Sequence, residues 1–223
     1  MSYQGDGLVT TRTYGQFCGI ARALDLVGER WALLVVRELI LGPKRFSDLR
    51  RGLPGIGSNV LADRLKELER SGVIQRRTLP PPAASAVYEL TEYGRELEDI
   101  LLAFGRWGAK SLETRAADEL LRSEWLAVAL KAYFQPEAAA ELRATVALRL
   151  GDGSYHARIE HGSLKMEPAP ASEDGADLVV TADEETLIAF LSGAPVPRTA
   201  LSAEGDLALL ESLPRIFAFG AAA

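Results

Sequence analysis

The sequence is poor in the residues that build disulfides and metal sites. Its 223 residues include one cysteine, Cys18, which cannot form an internal disulfide, a pattern typical of proteins from a reducing compartment. The two histidines, His156 and His161, have no third ligand at the spacing of a zinc site. No apolar run approaches the roughly 20 residues of a membrane span, and residues 1–6 lack the features of a signal peptide. We expect a cytoplasmic protein without membrane association.

The sequence also lacks motifs that carry bond-making chemistry. There is no G-x-S-x-G nucleophile elbow, no Walker loop and no G-x-G-x-x-G segment after a predicted strand. Residues 151–153 are typical of a hairpin turn, and the acidic run 183–185 is typical of a helix start. We therefore expect no enzymatic activity, no cofactor and no bound metal.

The charge that is present is unevenly distributed. Residues 1–115 carry 17 basic and 14 acidic side chains, whereas residues 116–223 carry 8 and 17. Between positions 37 and 77, basic residues outnumber acidic ones by 10 to 5. The first part can therefore approach a polyanion that the second part would repel. We predict two domains, 1–115 and 116–223.

Periodicity in the first domain is typical of a winged helix-turn-helix. A stripe of Val60, Leu61, Leu65 and Leu68 marks one helix, which Ser58 is expected to cap. Two strands joined by a proline-rich loop follow it and form a hairpin, or wing. The predicted helices cover 13–27, 31–41, 48–52, 59–71 and 91 to about 112, and the strands cover 73–79 and 87–90.

The helix over 59–71 carries polar residues opposite its apolar stripe, as a helix that enters the major groove does. Asn59 can pair with adenine and Arg64 with guanine or a phosphate, while the amides at its start favour a phosphate. Alternation along the wing strand sends Arg76 and Arg77 to opposite faces. The predicted DNA-binding residues are Lys44, Arg45, Ser47, Ser58, Asn59, Arg64, Lys66, Arg76 and Arg77.

Six segments stand in a fixed order between residues 16 and 110. They are Gly28-Glu29-Arg30-Trp31, Arg37-Glu38-Leu39, Gly42-Pro43-Lys44-Arg45-Phe46-Ser47-Asp48-Leu49, Leu53-Pro54-Gly55-Ile56, Leu61-Ala62-Asp63-Arg64-Leu65-Lys66-Glu67-Leu68-Glu69 and Tyr88-Glu89-Leu90-Thr91. Together they resemble the HxlR family of bacterial transcriptional regulators. The resemblance implies a homodimer that binds inverted-repeat operators, with the recognition helix at Ser58–Ser71 and the wing at about Ile74–Tyr88. The dimer contacts expected on the first helix and on the long helix after the wing are Phe17, Ile20, Leu97, Leu101, Phe104 and Trp107.

Cys18 lies at the head of the first helix, where several HxlR-family members carry a cysteine that senses electrophiles or oxidants. The family's usual Cys-Pro is replaced here by Cys18-Gly19. The helix start and nearby Arg22 would lower the pKa of the thiol. The alternative is a small apolar residue buried in the dimer interface. The sequence leaves both interpretations open.

The second domain alternates apolar and polar residues as a sheet does. The predicted helices cover 119–134, 184–192 and parts of 206–219, and the strands cover 145–150, 154–160, 163–167, 176–182 and 199–203. The segments 146–153, 177–182, 186–193 and 204–207 resemble the sterol-carrier-protein-2 family. This resemblance implies an α/β fold with a mostly antiparallel five-stranded sheet beside an apolar tunnel. The candidate tunnel residues are Trp125, Leu130, Phe134, Leu187, Phe190, Leu191 and Phe217, although such residues are ordinarily core.

The combined prediction is an α+β chain in which a winged helix precedes a sterol-carrier-like domain. We expect a homodimeric repressor that binds double-stranded DNA and takes a hydrophobic small molecule as effector. Two alternatives are a thiol-based sensor that acts through Cys18, and a lipid-carrier-like protein whose winged helix contacts other proteins.

Overall fold

The computed structural model describes residues 13–81, 84–112, 115–116, 118–169, 175–197 and 199–219. The chain divides into two compact units, with the division after Leu101. The functional boundary between residues 115 and 116 stays a prediction. Two residues of the predicted wing loop, 82 and 83, lie outside the described ranges. Within those ranges, no helix is long and apolar enough to cross a membrane.

Among the described residues of the first unit, four helices precede a two-stranded hairpin and further helical residues follow it, which confirms the predicted winged helix-turn-helix order. The hairpin is antiparallel, with Arg76 opposite Tyr88. The elements are α1 (Gly19–Val27), α2 (Ala32–Leu39), α3 (Phe46–Gly52), α4 (Ser58–Arg70), β1 (Ile74–Thr78), β2 (Ala86–Leu90), α5 (Glu92–Arg95) and α6 (Leu97–Ala109), which continues past the division.

The core of this unit forms around the apolar stripe of α4. Leu61, Leu65 and Leu68 are almost completely buried and belong to one cluster with residues of α2 and α3. Their spacing of four and three residues places them on one face of the helix. Val60 was wrongly included in this stripe. It is exposed, because one residue turns the helix by about 100° and directs its side chain away from the core.

Three predicted helix boundaries were wrong for local reasons. Helix α1 begins only at Gly19, because Thr13 and Tyr14 bind the carboxylate of Asp25 and hold residues 13–18 beside the helix. Helix α4 has Gly57 rather than Ser58 at its cap. The helix after the wing begins after Thr91, as predicted. It is interrupted after residue 95, next to Gly94, because glycine is a poor helix former.

The second unit is built on a five-stranded sheet of order β5-β4-β3-β6-β7. Strands β3, β4 and β5 form the predicted antiparallel meander, whereas β6 pairs parallel with β3 and antiparallel with β7. The sheet is thus mixed and mostly antiparallel, and the α+β class is confirmed. The elements are α7 (Ser123–Tyr133), β3 (Arg143–Leu150), β4 (Gly153–Glu160), β5 (Ser163–Pro168), β6 (Leu178–Ala182), α8 (Glu184–Leu191), β7 (Ser202–Gly205) and α9 (Leu207–Ile216).

Alternation along the strands gives the sheet one strongly apolar face. Val146, Leu148 and Leu150 of β3 are buried opposite Ala157, Tyr155 and Gly153 of β4. Leu178 and Val180 of β6 continue this face. The similarity to the sterol-carrier-protein-2 fold stays a prediction.

Candidate nucleic-acid interface

The outer face of α4 is polar and open to solvent. Ser58, Asn59, Asp63 and Lys66 are all exposed, while the opposite side of the helix is buried. The first amides of a helix have no partner within the helix, so the positive end of the α4 dipole lies beside Ser58 and Asn59. This face can donate hydrogen bonds to base edges and to a phosphate.

Arg50 extends this polar face from the end of α3. Its Nη1 donates to the hydroxyl oxygen of Ser58 at 3.2 Å, which brings an exposed guanidinium to the start of α4. Arg50 is not among the predicted DNA-binding residues, because its place at a helix end fits a phosphate contact and a solvated side chain equally well. Only the packing of α3 against α4 brings the two side chains together.

Arg64 does not lie on this outer face. Its side chain is only 12% exposed, its Nη1 is paired with Glu67, and its Nη2 lies 3.9 Å from Glu29 Oε2. Arg64 is three residues after Leu61 and four before Leu68, so its side chain leaves the helix beside the buried stripe. The expected placement of Arg64 among the exposed residues was therefore wrong.

Lys44 is one of the predicted DNA-binding residues, and its ammonium group takes part in an ion network around a buried carboxylate. Its Nζ lies 2.7 Å from Oε2 of Glu38, and Arg37 Nη2 lies 2.8 Å from Oε1 of the same carboxylate. The Glu38 side chain is completely buried. A buried carboxylate needs such partners, since an uncompensated charge in the interior is strongly destabilising. In addition, the Lys44 backbone pairs with Tyr88 of the wing.

The wing confirms that Arg76 and Arg77 point to opposite faces. Arg77 donates to both oxygens of Glu89, at 3.0 and 2.9 Å, and Gln75 donates to the same carboxylate at 2.8 Å. The hydrogen bond from Arg77, followed by the one from Gln75, lowers the pKa of Glu89. The hydrogen bond to Glu89 raises the pKa of Arg77. Arg76 is exposed on the other face, opposite Tyr88.

The predicted DNA-binding residues thus fall into two groups. Lys44, Arg64 and Arg77 have carboxylate partners. The remaining candidates are exposed on α4, on the wing and at the start of α3, and they are Arg45, Ser47, Ser58, Asn59, Lys66 and Arg76.

The sequence of this part of the chain is similar to that of known proteins. Residues 26–116 match the family model described as HxlR-like helix-turn-helix. The chain is 35% identical over 97 residues to YvaP of Bacillus subtilis, an HTH-type transcriptional regulator, and the alignment covers 44% of this chain and 90% of YvaP. The chain belongs to the HxlR-like helix-turn-helix family.

Other regulators are similar over a comparable part of the chain. The regulator YodB of Bacillus subtilis is 36% identical over 91 residues, which are 41% of this chain and 81% of YodB. The solved structure of the redox regulator HypR in its oxidised form is 34% identical, with a TM-score of 0.41 over 44% of this chain and all of that chain. Reduced YodB gives 33% identity and a TM-score of 0.39, over 45% of this chain and all of that chain. YvaP and YodB are described as transcriptional regulators, and HypR is described as a redox regulator.

The residues expected in the dimer interface divide by exposure. Near the start of α1, Phe17 is fully exposed and Ile20 is largely exposed. On an exposed face of α6, the rings of Phe104 and Trp107 stack with their centroids 5.6 Å apart. Leu97 and Leu101 are instead half-buried and pack against the core of the first unit. They contribute to the stability of the HxlR-like unit itself.

Cys18 is exposed at the N-cap of α1. Backbone amides of Ala21 and Ile20 lower the pKa of its thiol, as expected for a cysteine at a helix start. Its burial in a dimer interface, the alternative interpretation, stays a prediction.

In the second unit, the candidate tunnel residues are packed as core. Leu130, Leu187, Leu191 and Phe217 are almost completely buried, and Phe134 packs against Phe217 at 5.8 Å. Trp125, Phe134 and Phe190 are half-buried. A cleft of about 430 Å³ opens beside the β3–β4 turn, and none of the seven candidates lines it. An open tunnel stays a prediction.

Two polar features of this unit are structural in character. Ser123 donates to Asp152 Oδ1 at 2.6 Å, which fastens the predicted β3–β4 turn to the start of α7, and burial raises the pKa of neighbouring Tyr155 to about 12. His156 is buried in β4, whereas His161 is exposed in the following turn. Among the described residues, no group of three or more potential ligands could hold a metal ion.

Proposed function

We propose that this protein is a sequence-specific transcriptional regulator that binds an inverted-repeat operator as a homodimer, with α4 in the major groove. The polar face of α4, in a chain that belongs to a family of regulators, supports this function. Asn59 would pair with adenine, and the first amides of α4 would bind a phosphate. Two-fold symmetry would place the half-sites about 34–36 Å apart, one helical turn of DNA.

The phosphate contacts in this proposal come from the exposed cations. Arg45, Arg50 and Lys66 would bind the backbone on either side of α4, and Arg76 would do so from the wing. Lys44, Arg64 and Arg77 can contact DNA only by leaving their carboxylates. We therefore assign them a smaller part in DNA affinity.

The homodimer is supported by the exposed apolar side chains of α1 and α6. Phe17, Phe104 and Trp107 are too large and too exposed for a surface that faces only water. Sedimentation of the wild type should give twice the mass of one chain, and F104S/W107S should give one. Dimeric behaviour of that variant would contradict this interface.

Fluorescence anisotropy tests the DNA-binding function. The labelled duplex is the DNA upstream of the protein's own gene, and a scrambled duplex of equal length is measured beside it at two salt concentrations. We expect a preference of at least about a hundredfold for the native duplex. Asn59→Ala should lose about 1–3 kcal/mol of this preference, whereas Ser163→Ala, an exposed change in β5, should lose none. Equal binding to both duplexes by every variant would contradict the assignment.

We propose repression as the sign of regulation, with the second unit as a sensing or dimer-stabilising module. The acidic excess of residues 116–223 supports a role away from DNA. A promoter fusion should rise in expression when the gene is deleted. A fluorescent fatty-acid analogue should bind the whole protein if the predicted apolar tunnel is open, and should be displaced by unlabelled fatty acid.

A thiol-based sensor is the second candidate function, because Cys18 is exposed and the pKa of its thiol is lowered. Oxidant treatment should then release the protein from its operator, and Cys18→Ser should prevent the release. Release of the Cys18→Ser protein by the same treatment would exclude this candidate.

A further inference from the structure

A cleft of about 910 Å³ separates α1 from α4 in the first unit. This volume lies within the range of about 300–1,000 Å³ that is usual for small-molecule sites. The cleft is lined by α1 residues on one side, by α4 residues that include Arg64 and Glu67 on the other, and by Thr13 and Tyr14. Asp63 and Lys66 of the outer face of α4 also line it, so the cleft borders the face that we propose to enter the major groove.

Within the part of the chain that the structure describes, one edge of the Arg64 guanidinium group has no hydrogen-bond acceptor. Its Nη1 is paired with Glu67, but its Nη2 is 3.9 Å from the nearest oxygen of Glu29, which is beyond hydrogen-bond distance. Its Nε is buried and has no acceptor among the described residues. The Nε and Nη2 atoms form the edge that binds a carboxylate through two parallel hydrogen bonds.

The same cleft offers apolar surface to the remainder of such a ligand. Tyr14 and Leu24 line it, with 60% and 44% of their surface exposed. Four carboxylates line the cleft. Asp25 accepts hydrogen bonds from Thr13 and Tyr14, Glu67 is paired with Arg64, Glu29 lies 3.9 Å from Arg64, and Asp63 is exposed. Lys66 and Arg70 also line the cleft, so its cations can balance the charge of a bound acid, and Arg64 adds a donor edge to them.

We propose that this cleft binds a small organic acid with an apolar body, whose carboxylate pairs with Arg64 and whose body lies against Tyr14 and Leu24. The inference rests on the proposed DNA-binding function in one respect only, namely that the acid regulates it. Arg64 belongs to α4, so a ligand that binds the free protein better than the DNA complex would weaken operator binding.

Glu67 gives the proposal a second consequence. Its carboxylate competes with an incoming acid for Arg64, and like charges within the cleft oppose each other. Removal of the charge of Glu67 should therefore tighten the binding of an acid, whereas removal of Arg64 should weaken it. A merely structural ion pair predicts no such opposite effects.

Hexanoate and its neutral counterpart hexanamide are suitable probes, titrated by saturation-transfer NMR against the full chain. Hexanoate should bind the wild type at least about tenfold more tightly than hexanamide, since hydrogen bonds between ionised groups are the stronger ones. Arg64→Gln should remove this difference, and Glu67→Gln should tighten hexanoate binding severalfold. Arg95→Gln, an exposed change on α5 outside the cleft, is the matched control and should leave hexanoate binding unchanged.

Equal affinities of the wild type for hexanoate and hexanamide would overturn the proposal, as would undiminished binding by folded Arg64→Gln. Circular dichroism checks the fold of each variant. If Arg64→Gln fails to fold, Glu67→Gln decides, because unchanged binding by that variant contradicts the competition.

Anisotropy with the operator duplex separates this inference from the function on which it rests. Hexanoate should weaken duplex binding by the wild type, and an unchanged affinity would overturn the regulatory part. A protein that prefers its operator but does not bind hexanoate contradicts only this inference. A protein that binds hexanoate through Arg64 but no duplex contradicts only the proposed function.

Discussion

The ion pair between Arg77 and Glu89 in the wing predicts how the charge of Glu89 affects DNA binding. Both oxygens of this carboxylate accept hydrogen bonds from Arg77, at 3.0 and 2.9 Å. In the absence of DNA, the positive charge of Arg77 is therefore balanced by Glu89. Glu89→Gln removes the opposing charge and frees Arg77 to bind a phosphate. Each added phosphate contact steepens the dependence of log K on log salt by about 0.9, hence by about 1.8 for a dimer.

The assay is an anisotropy titration of an operator duplex at four or more salt concentrations. Glu89→Gln should bind more tightly than the wild type at low salt and lose this advantage as salt rises. Glu92→Gln removes the same charge from an exposed position on α5 and controls for net charge alone. A salt dependence of Glu89→Gln equal to that of the control would refute the reasoning that Glu89 restrains Arg77.

Three further predictions concern stability and are read from denaturant unfolding. Leu65→Ala should cost about 2–5 kcal/mol, because it leaves a cavity in the core of the first unit; a loss below 1 kcal/mol would contradict that packing. Glu38→Gln should cost about 3 kcal/mol, since it leaves the charge of Lys44 in the interior without its counter-ion; a neutral effect would show that the network relaxes. Asp183→Ala should cost about 1 kcal/mol at pH 7, because its carboxylate caps α8. Hydrogen bonds from Thr186 lower the pKa of Asp183, so its contribution is complete above the ordinary value near 3.8 and is lost as the pH falls through the lowered value; an equal cost at about pH 2 would contradict the cap.

Periodic signals predicted most of the first unit correctly. The positions of Leu61, Leu65 and Leu68 indicated α4 and its buried face, and alternation along β1 assigned Arg76 and Arg77 to opposite sides. These features depend on neighbours within one element, so a local pattern can reveal them.

The carboxylate partners of individual cations could not be predicted from local patterns. Lys44 is paired with Glu38 of the preceding helix, and Arg64 reaches Glu29, which is distant in sequence. Such pairs depend on how helices pack, which periodicity does not encode. The same holds for the second unit. Alternation indicated the strand β6, but its parallel pairing with β3 depends on residues that are distant in sequence.

The central claim is that a homodimer reads an inverted repeat through α4. Selection of bound duplexes from a random-sequence library tests it most directly, since no promoter need be known. The account predicts enrichment of a palindrome with half-sites centred about one helical turn apart, and loss of preference at one position per half-site for Asn59→Ala. Recovery of unenriched sequences, or of a single half-site without its mirror image, would contradict it.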